Sequence, residues 1–314
     1  MITIWRMKMP NIAPVSPLRY PGGKALLAGY ISDILEAHLL VGCTFYEPYL
    51  GGASVSLELL GKGCISSAVW VERDPLIYAF WHSVLSDPDG LCAAIDDLDV
   101  SIETWQEFQH YRDVLNPKSR KFTLLELGIV GLFFNRTNFS GIIGAGPIGG
   151  RNQSSKYGID CRFNKTRIME QIQIVSAYSD LIDLHYGDAV KFMRKNSQVI
   201  STGFNFVYID PPYYSQGKKL YRYFYEDQHH VELANFIGEQ GYPWLVSYDD
   251  HPRIKELYAQ NKIQPIYLDY NVRSSRRATE LLISNIEIPP PVYQIPVADD
   301  IVDIPHASNI AVPG

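Results

Sequence analysis

The tetrapeptide Asp210-Pro211-Pro212-Tyr213 has the residue types for chemistry on an amine. It follows the apolar run at residues 206–209, which is typical of a buried strand. Ligands of open parallel sheets bind beyond the carboxyl ends of the strands, so this segment lies where a reaction would occur. The Asp210 carboxylate and a proline carbonyl form two acceptors for the two N–H donors of an exocyclic amine. Tyr213 offers a flat face on which an extruded base can stack.

Two glycine-containing turns indicate a cofactor site. In residues 46–54 (Y-E-P-Y-L-G-G-A-S), the glycines let a ligand approach the backbone at the start of a helix. Glu72 ends the next strand and is placed to accept hydrogen bonds from ribose hydroxyls. In residues 17–24 (P-L-R-Y-P-G-G-K), Lys24 can meet a carboxylate, and Tyr20 can pack on an aliphatic or sulfonium group. Alone, each segment is equally typical of an ordinary turn before a helix.

The pattern of apolar residues predicts an α/β fold. Residues 24–40 have the spacing of a helix. We predict strands at residues 43–47, 67–71, 181–186, 205–209, 243–248 and 281–285. Strands that alternate with helices form a parallel sheet covered on both faces.

The region between the second and third predicted strands has a different character. It is mostly helical, and it contains a long stretch rich in Gly and Asn at residues 135–158. We therefore predict a discontinuous catalytic and cofactor-binding domain (1–75 and 181–285), an inserted domain (76–180) and a proline-rich acidic tail (286–314).

Composition limits the class of protein. The 314 residues are 46% hydrophobic and 20% charged, which is typical of a globular protein. The longest nearly apolar run, residues 122–134, is shorter than the roughly 20 residues that cross a bilayer. The first residues have no signal-peptide pattern, so we expect a cytoplasmic protein without a membrane partner. The four cysteines are widely spaced and have no nearby histidine pair, so we expect neither a metal site nor disulfides.

Charge is distributed unevenly along the chain. The formal net charge of −6 argues weakly against a nucleic-acid partner. Residues 112–167, however, contain ten Lys or Arg against three acids, a net charge of +7. Residues 286–314 contain four acids and no Lys or Arg. The basic middle fits either phosphate contacts or a solvated face, and charge alone does not separate the two.

The order of the motifs makes a family resemblance specific. Y-P-G-G-K, E-P-Y-L-G-G-A-S and D-P-P-Y occur here in the order of Dam-type (alpha-group) adenine-specific DNA methyltransferases, which the chain resembles from about residue 17 to 285. Further segments that resemble this family lie at residues 134–141, 161–165, 225–229, 244–249 and 280–285.

The resemblance implies a fold, a reaction and partners. The fold would be Rossmann-like and S-adenosylmethionine-dependent, with residues 76–180 as a mostly helical target-recognition domain. The reaction would move a methyl group from S-adenosyl-L-methionine directly to the 6-amino group of an adenine flipped out of double-stranded DNA. It would be site-specific, and it would need no metal. The target sequence, the oligomeric state and a restriction endonuclease partner in the same system are left open.

The resemblance also assigns residues. For catalysis these are Asp210, Pro211, Pro212 and Tyr213. For cofactor binding they are Tyr20, Lys24, Pro48, Gly51, Glu72, Asp188 and Asp210. For DNA binding, the family segments and the basic stretch give Arg136, Asn138, Arg151, Lys156, Arg162, Lys165 and Arg167. Two positions depart from the family: Glu72 stands where Asp is usual, and Ala53 where Gly is common.

Other functions fit parts of the pattern. The same cofactor chemistry could act on RNA or on a protein amide, which would change the insertion and keep the cofactor site. A DNA-binding module without activity would use the basic middle but would not need Lys24, Glu72 and Asp210 together. A nicotinamide oxidoreductase would carry the G-x-G-x-x-G spacing, which the cofactor turn lacks. A cysteine nucleophile has no support, because no Pro-Cys pair occurs.

Overall fold

A single mixed sheet organises the protein. The computed structural model describes residues 13–19, 24–118, 121–269 and 277–290. Within these ranges the sheet has seven strands: β1 (Thr44–Glu47), β2 (Ser67–Glu72), β3 (Ile182–Tyr186), β4 (Asn205–Ile209), β5 (Trp244–Asp249), β6 (Lys262–Asp269) and β7 (Arg277–Ser284). Their order is β3-β2-β1-β4-β5-β7-β6. The structure confirms the six predicted strands to within a few residues, and β6 was not predicted.

The topology creates a place for a ligand. Strands β1 to β5 are parallel, and β7 runs antiparallel between β5 and β6. The order reverses between β1 and β4, which makes a crevice at their carboxyl ends. All five residues of β4 are buried, as expected for a strand covered on both faces. The fold is therefore Rossmann-like α/β, and its switch point lies next to Asp210.

Helices cover both faces of the sheet. They are α1 (Ala25–Ala37), α2 (Ser54–Gly61), α3 (Pro75–Ser86), α4 (Pro88–Asp97), α5 (Ile102–Glu107), α6 (Leu124–Thr137), α7 (Lys165–Ser176), α8 (Ala189–Thr202), α9 (Gly217–Leu220), α10 (Asp227–Gly238) and α11 (Pro252–Leu257). Successive strand residues point to opposite faces. Thus Phe45 and Tyr208 belong to the core shared with α1, α2 and α3, and Tyr46 and Val207 to the core shared with α8 and α10. Among the described residues, no helix is both long and apolar enough to cross a membrane.

Residues 76–180 form the crossover between the parallel strands β2 and β3. Helix α3 packs closely against α6, where a Cβ on Gly131 would lie 2.5 Å from the carbonyl oxygen of Leu76. Trp81 of α3 packs edge-on against Trp70 of β2, with ring centroids 5.1 Å apart. One apolar core therefore runs from the sheet into this region. The stretch rich in Gly and Asn at residues 135–158 begins in the last turn of α6 and continues as a short 3-10 helix (Phe139–Gly141) and turns, with an isolated bridge between Asn138 and Pro147.

Candidate active site

The carboxyl ends of β1, β2, β3 and β4 surround one cleft. It encloses about 890 Å³, counted out to its open mouth. Its lining includes seven residues predicted from the sequence: Lys24, Pro48, Gly51, Glu72, Asp188, Asp210 and Pro212. Tyr20, also predicted there, lies outside the described residues. The structure thus brings together motifs that are more than 180 residues apart in the chain.

The tetrapeptide that starts at Asp210 is held by a buried network of charges and hydroxyls. The Lys24 ammonium lies 3.3 Å from Asp210 Oδ1 and donates a hydrogen bond of 2.6 Å to Tyr213 Oη. Ser247 Oγ donates to the same Asp210 oxygen over 2.7 Å. Both contacts fall on Oδ1, and within the described part of the chain Oδ2 has no side-chain partner. One oxygen of this partly exposed carboxylate is therefore available to a substrate.

Glu280 of β7 completes this network. Tyr213 Oη donates to Glu280 Oε1 over 2.5 Å, and Glu280 Oε2 lies 3.5 Å from the Lys24 ammonium. Lys24 and Glu280 are 3% and 2% exposed, so water barely screens their charges. The sequence placed Glu280 within a family segment but gave it no role.

Glu72 ties the end of β2 to the glycine turn. Its Oε2 accepts from the Gly51 amide over 3.0 Å, and its Oε1 accepts from the Asp74 amide over 2.7 Å. Burial raises the pKa of Glu72 to about 7. Ala53, at the end of the turn, has left-handed backbone angles (φ 54°, ψ 18°) and precedes the first residue of α2. This conformation favours glycine, which explains why glycine is common there in the family.

Glu47 is a second buried carboxylate in the cleft, and the sequence gave it no role. Its Oε2 accepts a hydrogen bond of 2.5 Å from Ser56 Oγ, which in turn accepts one from the Trp70 indole over 2.8 Å. Burial, with a smaller contribution from the charge of Asp210, raises the pKa of Glu47 to about 8. The carboxylate therefore favours a bound partner that is positively charged or donates hydrogen bonds.

Asp188 occupies the start of α8, beyond β3. Its Oδ1 caps the helix by accepting from the Lys191 amide over 3.0 Å. Its Oδ2 lies 3.3 Å from Arg73. The side chain is held in place at the rim of the cleft, and its contact with the cofactor stays a prediction.

The segment that follows Tyr213 is tied to two other parts of the site. The amides of Tyr214 and Ser215 donate to the two oxygens of Asp249, over 2.8 and 2.9 Å. Arg222 lines the cleft, lies 3.5 Å from Asp74, and donates to the carbonyls of Val114 (2.9 Å) and Arg112 in the insertion. Sequence reasoning missed Arg222, because nothing in its local sequence marks these distant partners.

The predicted DNA-binding residues fall into two groups. Arg136 donates to the Pro17 carbonyl, with a 2.8 Å bond from Nε. Asn138 is fully buried: its Oδ1 accepts from the Trp105 indole over 2.7 Å, and its Nδ2 donates to the carbonyls of Ile142 and Ile143. This geometry corrects the prediction that Asn138 contacts DNA, because its side-chain amide already forms hydrogen bonds inside the fold. Arg136 likewise has a structural contact.

The remaining predicted DNA-binding residues are at the surface. Arg151, Lys156, Arg162 and Arg167 are exposed. Lys165 is half-buried and donates to the Asp96 carbonyl over 2.6 Å. Beside them, Arg112 is packed over the rings of Phe134 and Trp105, and its pKa is lowered to about 10, mainly by burial. No group of three or more potential metal ligands occurs among the residues that the structure describes.

Solved structures resemble this chain only distantly. No match was found among curated protein sequences. Solved structures with a similar fold include an rRNA methyltransferase, aviRa, from Streptomyces viridochromogenes (16% identity, TM-score 0.39, 89% of this chain and 94% of that one). They also include yhhF from Escherichia coli, described as a candidate methyltransferase (10% identity, TM-score 0.37, 87% and 92%). At these scores the neighbours carry no argument.

The family assignment comes from the sequence match. The model of the D12 class N6 adenine-specific DNA methyltransferases matches residues 20–272, which is most of the chain. Membership in a methyltransferase family implies S-adenosylmethionine as the methyl donor. The matched range includes Lys24, Glu72, Asp188 and the tetrapeptide that starts at Asp210. This chain belongs to the D12 class N6 adenine-specific DNA methyltransferase family.

Proposed function

We propose that this protein is a site-specific DNA methyltransferase that methylates the exocyclic 6-amino group of adenine in double-stranded DNA. The observation that supports the proposal most is the way the Asp210 carboxylate is held just after β4. Its Oδ1 is held by Lys24 and Ser247, and its Oδ2 is available at the edge of the cleft. An acceptor fixed in this way suits an amine donor whose orientation must be controlled.

The side chains that line the cleft suit S-adenosylmethionine. The lining has five carboxylates (Glu47, Glu72, Asp74, Asp188 and Asp210) and three cations (Lys24, Arg73 and Arg222). Groups of both signs suit a ligand with a sulfonium, an ammonium and a carboxylate, and Glu47 and Glu72, whose pKa values burial raises to about 8 and about 7, can serve it as hydrogen-bonding groups.

Each part of the cofactor has residues of suitable chemistry. Glu72 would accept hydrogen bonds from the ribose hydroxyls, and Asp188 would bind at the adenine. The backbone of Pro48 and Gly51 would allow close approach, and Lys24 and Tyr20 would lie at the amino-acid part. When bound, the cofactor supplies an electrophilic methyl carbon attached to a good leaving group.

The chain's own residues would orient the target base. Asp210 Oδ2 and the Pro211 carbonyl would accept the two amine N–H bonds, which localises the nitrogen lone pair and directs it into the cleft. Pro212 would fix the backbone that presents these acceptors, and the ring of Tyr213 would stack on the flipped base. A strong base would not be required, because the amine proton can leave to solvent after the methyl group has been transferred.

Binding of DNA would use the basic insertion. Residues 76–180 would act as the target-recognition domain, and Arg151, Lys156, Arg162, Lys165 and Arg167 would contact phosphates or base edges. Four of these five side chains are exposed, which leaves them available to a duplex. Arg136 and Asn138 would contribute by shaping the turns at residues 138–147.

The experiment measures transfer of labelled methyl from S-adenosylmethionine to unmethylated DNA, RNA and bulk protein, followed by digestion and mass identification of the product. We expect 6-methyladenine in DNA. 4-Methylcytosine would mean that Asp210 selects a different amine. Label on RNA or protein alone would keep the cofactor site and overturn the substrate. The Asp210→Ala variant, purified in parallel, shows whether the activity belongs to this chain.

A further inference from the structure

We infer that Glu280 is a positioning residue for methyl transfer: its buried carboxylate orients the Lys24 ammonium and the Tyr213 hydroxyl, and through them the catalytic Asp210. The inference rests on the proposed function and adds a residue to it. Glu280 is 2% exposed, and its two carboxylate oxygens face the Tyr213 hydroxyl and the Lys24 ammonium, so it acts through these neighbours.

The antiparallel strand β7 brings Glu280 to the active site. Parallel strands present their carboxyl ends at the cleft, but β7 runs the other way, so the cleft edge meets the first half of this strand. Glu280 pairs in register with Asp249, the last residue of β5. Asp249 in turn accepts from the amides of Tyr214 and Ser215. This pair of acids therefore lies directly behind the tetrapeptide that starts at Asp210.

The hydrogen-bond directions give Glu280 its effect on Tyr213. A tyrosine hydroxyl has one hydrogen to donate, and here it is donated to Glu280 Oε1 over 2.5 Å. The hydroxyl oxygen can then only accept from the Lys24 ammonium, which lies 2.6 Å away. The Tyr213 ring is thus fixed at its far end by two charged groups. A ring that must present one face to a flipped base benefits from such fixing.

The charges give Glu280 its effect on Asp210. Lys24 lies between two carboxylates, 3.3 Å from Asp210 and 3.5 Å from Glu280. In this buried setting the Lys24 ammonium interacts with both carboxylates. Its positive charge therefore orients Asp210 but does not neutralise Asp210 alone. Without the negative charge of Glu280, the Lys24 ammonium would be attracted more strongly to Asp210. The oxygen that faces the substrate would then be a weaker acceptor for the amine.

The test is the Glu280→Gln variant of the full chain. The amide has nearly the shape of the carboxylate and can still accept from Tyr213, but it removes the charge. We expect kcat for DNA methylation to fall by about 10- to 100-fold, because an electrostatic contribution to the transition state is lost. The Kd for DNA should stay within about threefold, since Glu280 lies outside the basic insertion, and any rise in the KM for S-adenosylmethionine, transmitted through Lys24, should be smaller than the fall in kcat. An unchanged kcat, or a loss confined to KM, would overturn the inference.

A matched control lies on the same strand. Ser284 is also buried and donates to the Trp244 carbonyl, but it lies at the opposite end of β7. Ser284→Ala should leave kcat unchanged. If Ser284→Ala lowers kcat as much as Glu280→Gln does, the effect comes from a general disturbance of β7, and the inference is wrong.

A double-mutant cycle distinguishes positioning from a structural role. Tyr213→Phe removes the hydroxyl link and keeps both charges, and we expect it to lower kcat by about tenfold. In the double variant with Glu280→Gln, kcat should fall by clearly less than the product of the two single-variant falls. Both changes disrupt the same hydrogen-bonded group of Lys24, Tyr213 and Glu280. Independent effects would contradict the inference. If Glu280→Gln does not fold, Tyr213→Phe alone still tests the link, because a wild-type kcat in that variant would overturn it.

The assay also separates the two proposals. Wild-type protein that forms no 6-methyladenine contradicts the proposed function before any variant is compared. Wild-type protein that forms it, together with a fully active Glu280→Gln variant, leaves the proposed function intact and refutes the role of Glu280.

Discussion

The cleft edge of the sheet and the basic insertion hold their charges in opposite ways. At the cleft edge, Lys24 and Glu280 are buried and lie within 3.5 Å of each other, and Asp210 lies beside them. In the insertion, Arg151 and Arg162 are exposed, and neither has an acidic partner within ion-pair distance among the described residues. The groups at the cleft edge are thus arranged by the fold itself, whereas the surface cations are exposed to water.

This difference separates chemistry from binding. Buried charge pairs are screened little by salt, but exposed ones are screened strongly. We therefore expect kcat at saturating DNA to be nearly independent of salt, and DNA affinity to fall steeply with it. Each variant below disturbs one region, and its effect on the other shows how far the separation holds.

The largest effect is expected for Asp210→Ala. This change removes the acceptor that orients the amine, so methyl transfer should fall by about a thousandfold or more. DNA binding and cofactor binding should be largely retained, because neither depends on this oxygen alone. Single-turnover transfer, a gel-shift titration and calorimetry with S-adenosylmethionine measure the three quantities. Asp160→Ala, at an exposed acid in the insertion, is the control. Loss of DNA binding with intact cofactor binding in Asp210→Ala would contradict the assignment of the site.

The opposite pattern is expected for the double variant Lys156→Ala, Arg162→Ala. Each lost phosphate contact should weaken DNA binding by several-fold and lower the salt slope by about one, so that the pair raises Kd by roughly 10- to 100-fold. At saturating DNA, kcat should be unchanged. Lys62→Ala removes a cation that is paired with Glu58 on α2, and it should leave the Kd for DNA unaltered. A double variant that binds DNA normally would leave the basic stretch as a solvated face.

Arg222 is the point where the two regions touch. It lies 3.5 Å from Asp74 beside the cleft and donates to two carbonyls of the insertion. Arg222→Ala should lower the free energy of unfolding by about 1–3 kcal/mol, because these buried partners lose their hydrogen bonds. It should also raise both the KM for the cofactor and the Kd for DNA by a few fold. Chemical denaturation and the two titrations measure this.

The control for Arg222 is Arg194→Ala, since Arg194 is exposed and contacts only Glu232 and the ring of Phe236 among the interactions of the described residues, away from the cleft. We expect that variant to change stability by less than about 0.5 kcal/mol and neither titration. If Arg222→Ala alters cofactor binding only, the contact between the two regions has no functional consequence.

The sequence predicted the parts of the site that are local in the chain. A strand followed by its own loop places Asp210 and Glu72, because alternation and burial fix the strand and the next residue must lie at its end. For the same reason six of the seven strands of the described residues were predicted. The strand β6 was missed because residues 262–269 alternate weakly and contain Pro265.

The parts that depend on distant pairing could not be predicted. The position of Glu280 follows from the antiparallel register of β7 with β5, which local sequence does not encode. Arg222 and Glu47 acquire their roles from partners elsewhere in the fold. Asn138 was misjudged because a polar residue in a Gly- and Asn-rich stretch resembles a surface contact. Its burial depends on Trp105, which is 33 positions earlier.

The buried carboxylate Glu47 gives the cleft edge a dependence on pH. Its pKa is raised to about 8 in the folded protein, so the ionised form destabilises the fold. The contribution to stability is complete below the ordinary pKa of a glutamate, near 4.5, and is lost as the pH rises through about 8.

Glu47→Gln removes this titration. Relative to wild type, the variant should gain roughly 1–3 kcal/mol in free energy of unfolding between about pH 5 and pH 9. Urea unfolding of the ligand-free proteins at both pH values measures it. Glu58→Gln, on the exposed side of α2, should show no such gain. A constant difference between Glu47→Gln and wild type would mean that Glu47 stays ionised throughout.

The smallest effect is expected at Ala53, and it tests whether the rigid cleft edge carries backbone strain. Ala53 has a φ of +54°, where a side chain costs roughly 1–2 kcal/mol but glycine costs more conformational entropy on folding. These two terms nearly cancel, so Ala53→Gly should change the free energy of unfolding by less than about 1 kcal/mol and leave cofactor affinity intact. Ala53→Val adds a β-branched side chain at a buried position and should destabilise by about 2–3 kcal/mol. Thermal melts and cofactor titrations of both variants measure this. If Ala53→Val is as stable as Ala53→Gly, the backbone of this turn can change conformation to accept a larger side chain. The rigid part of the cleft edge would then include Glu72 and Asp210 but not this turn.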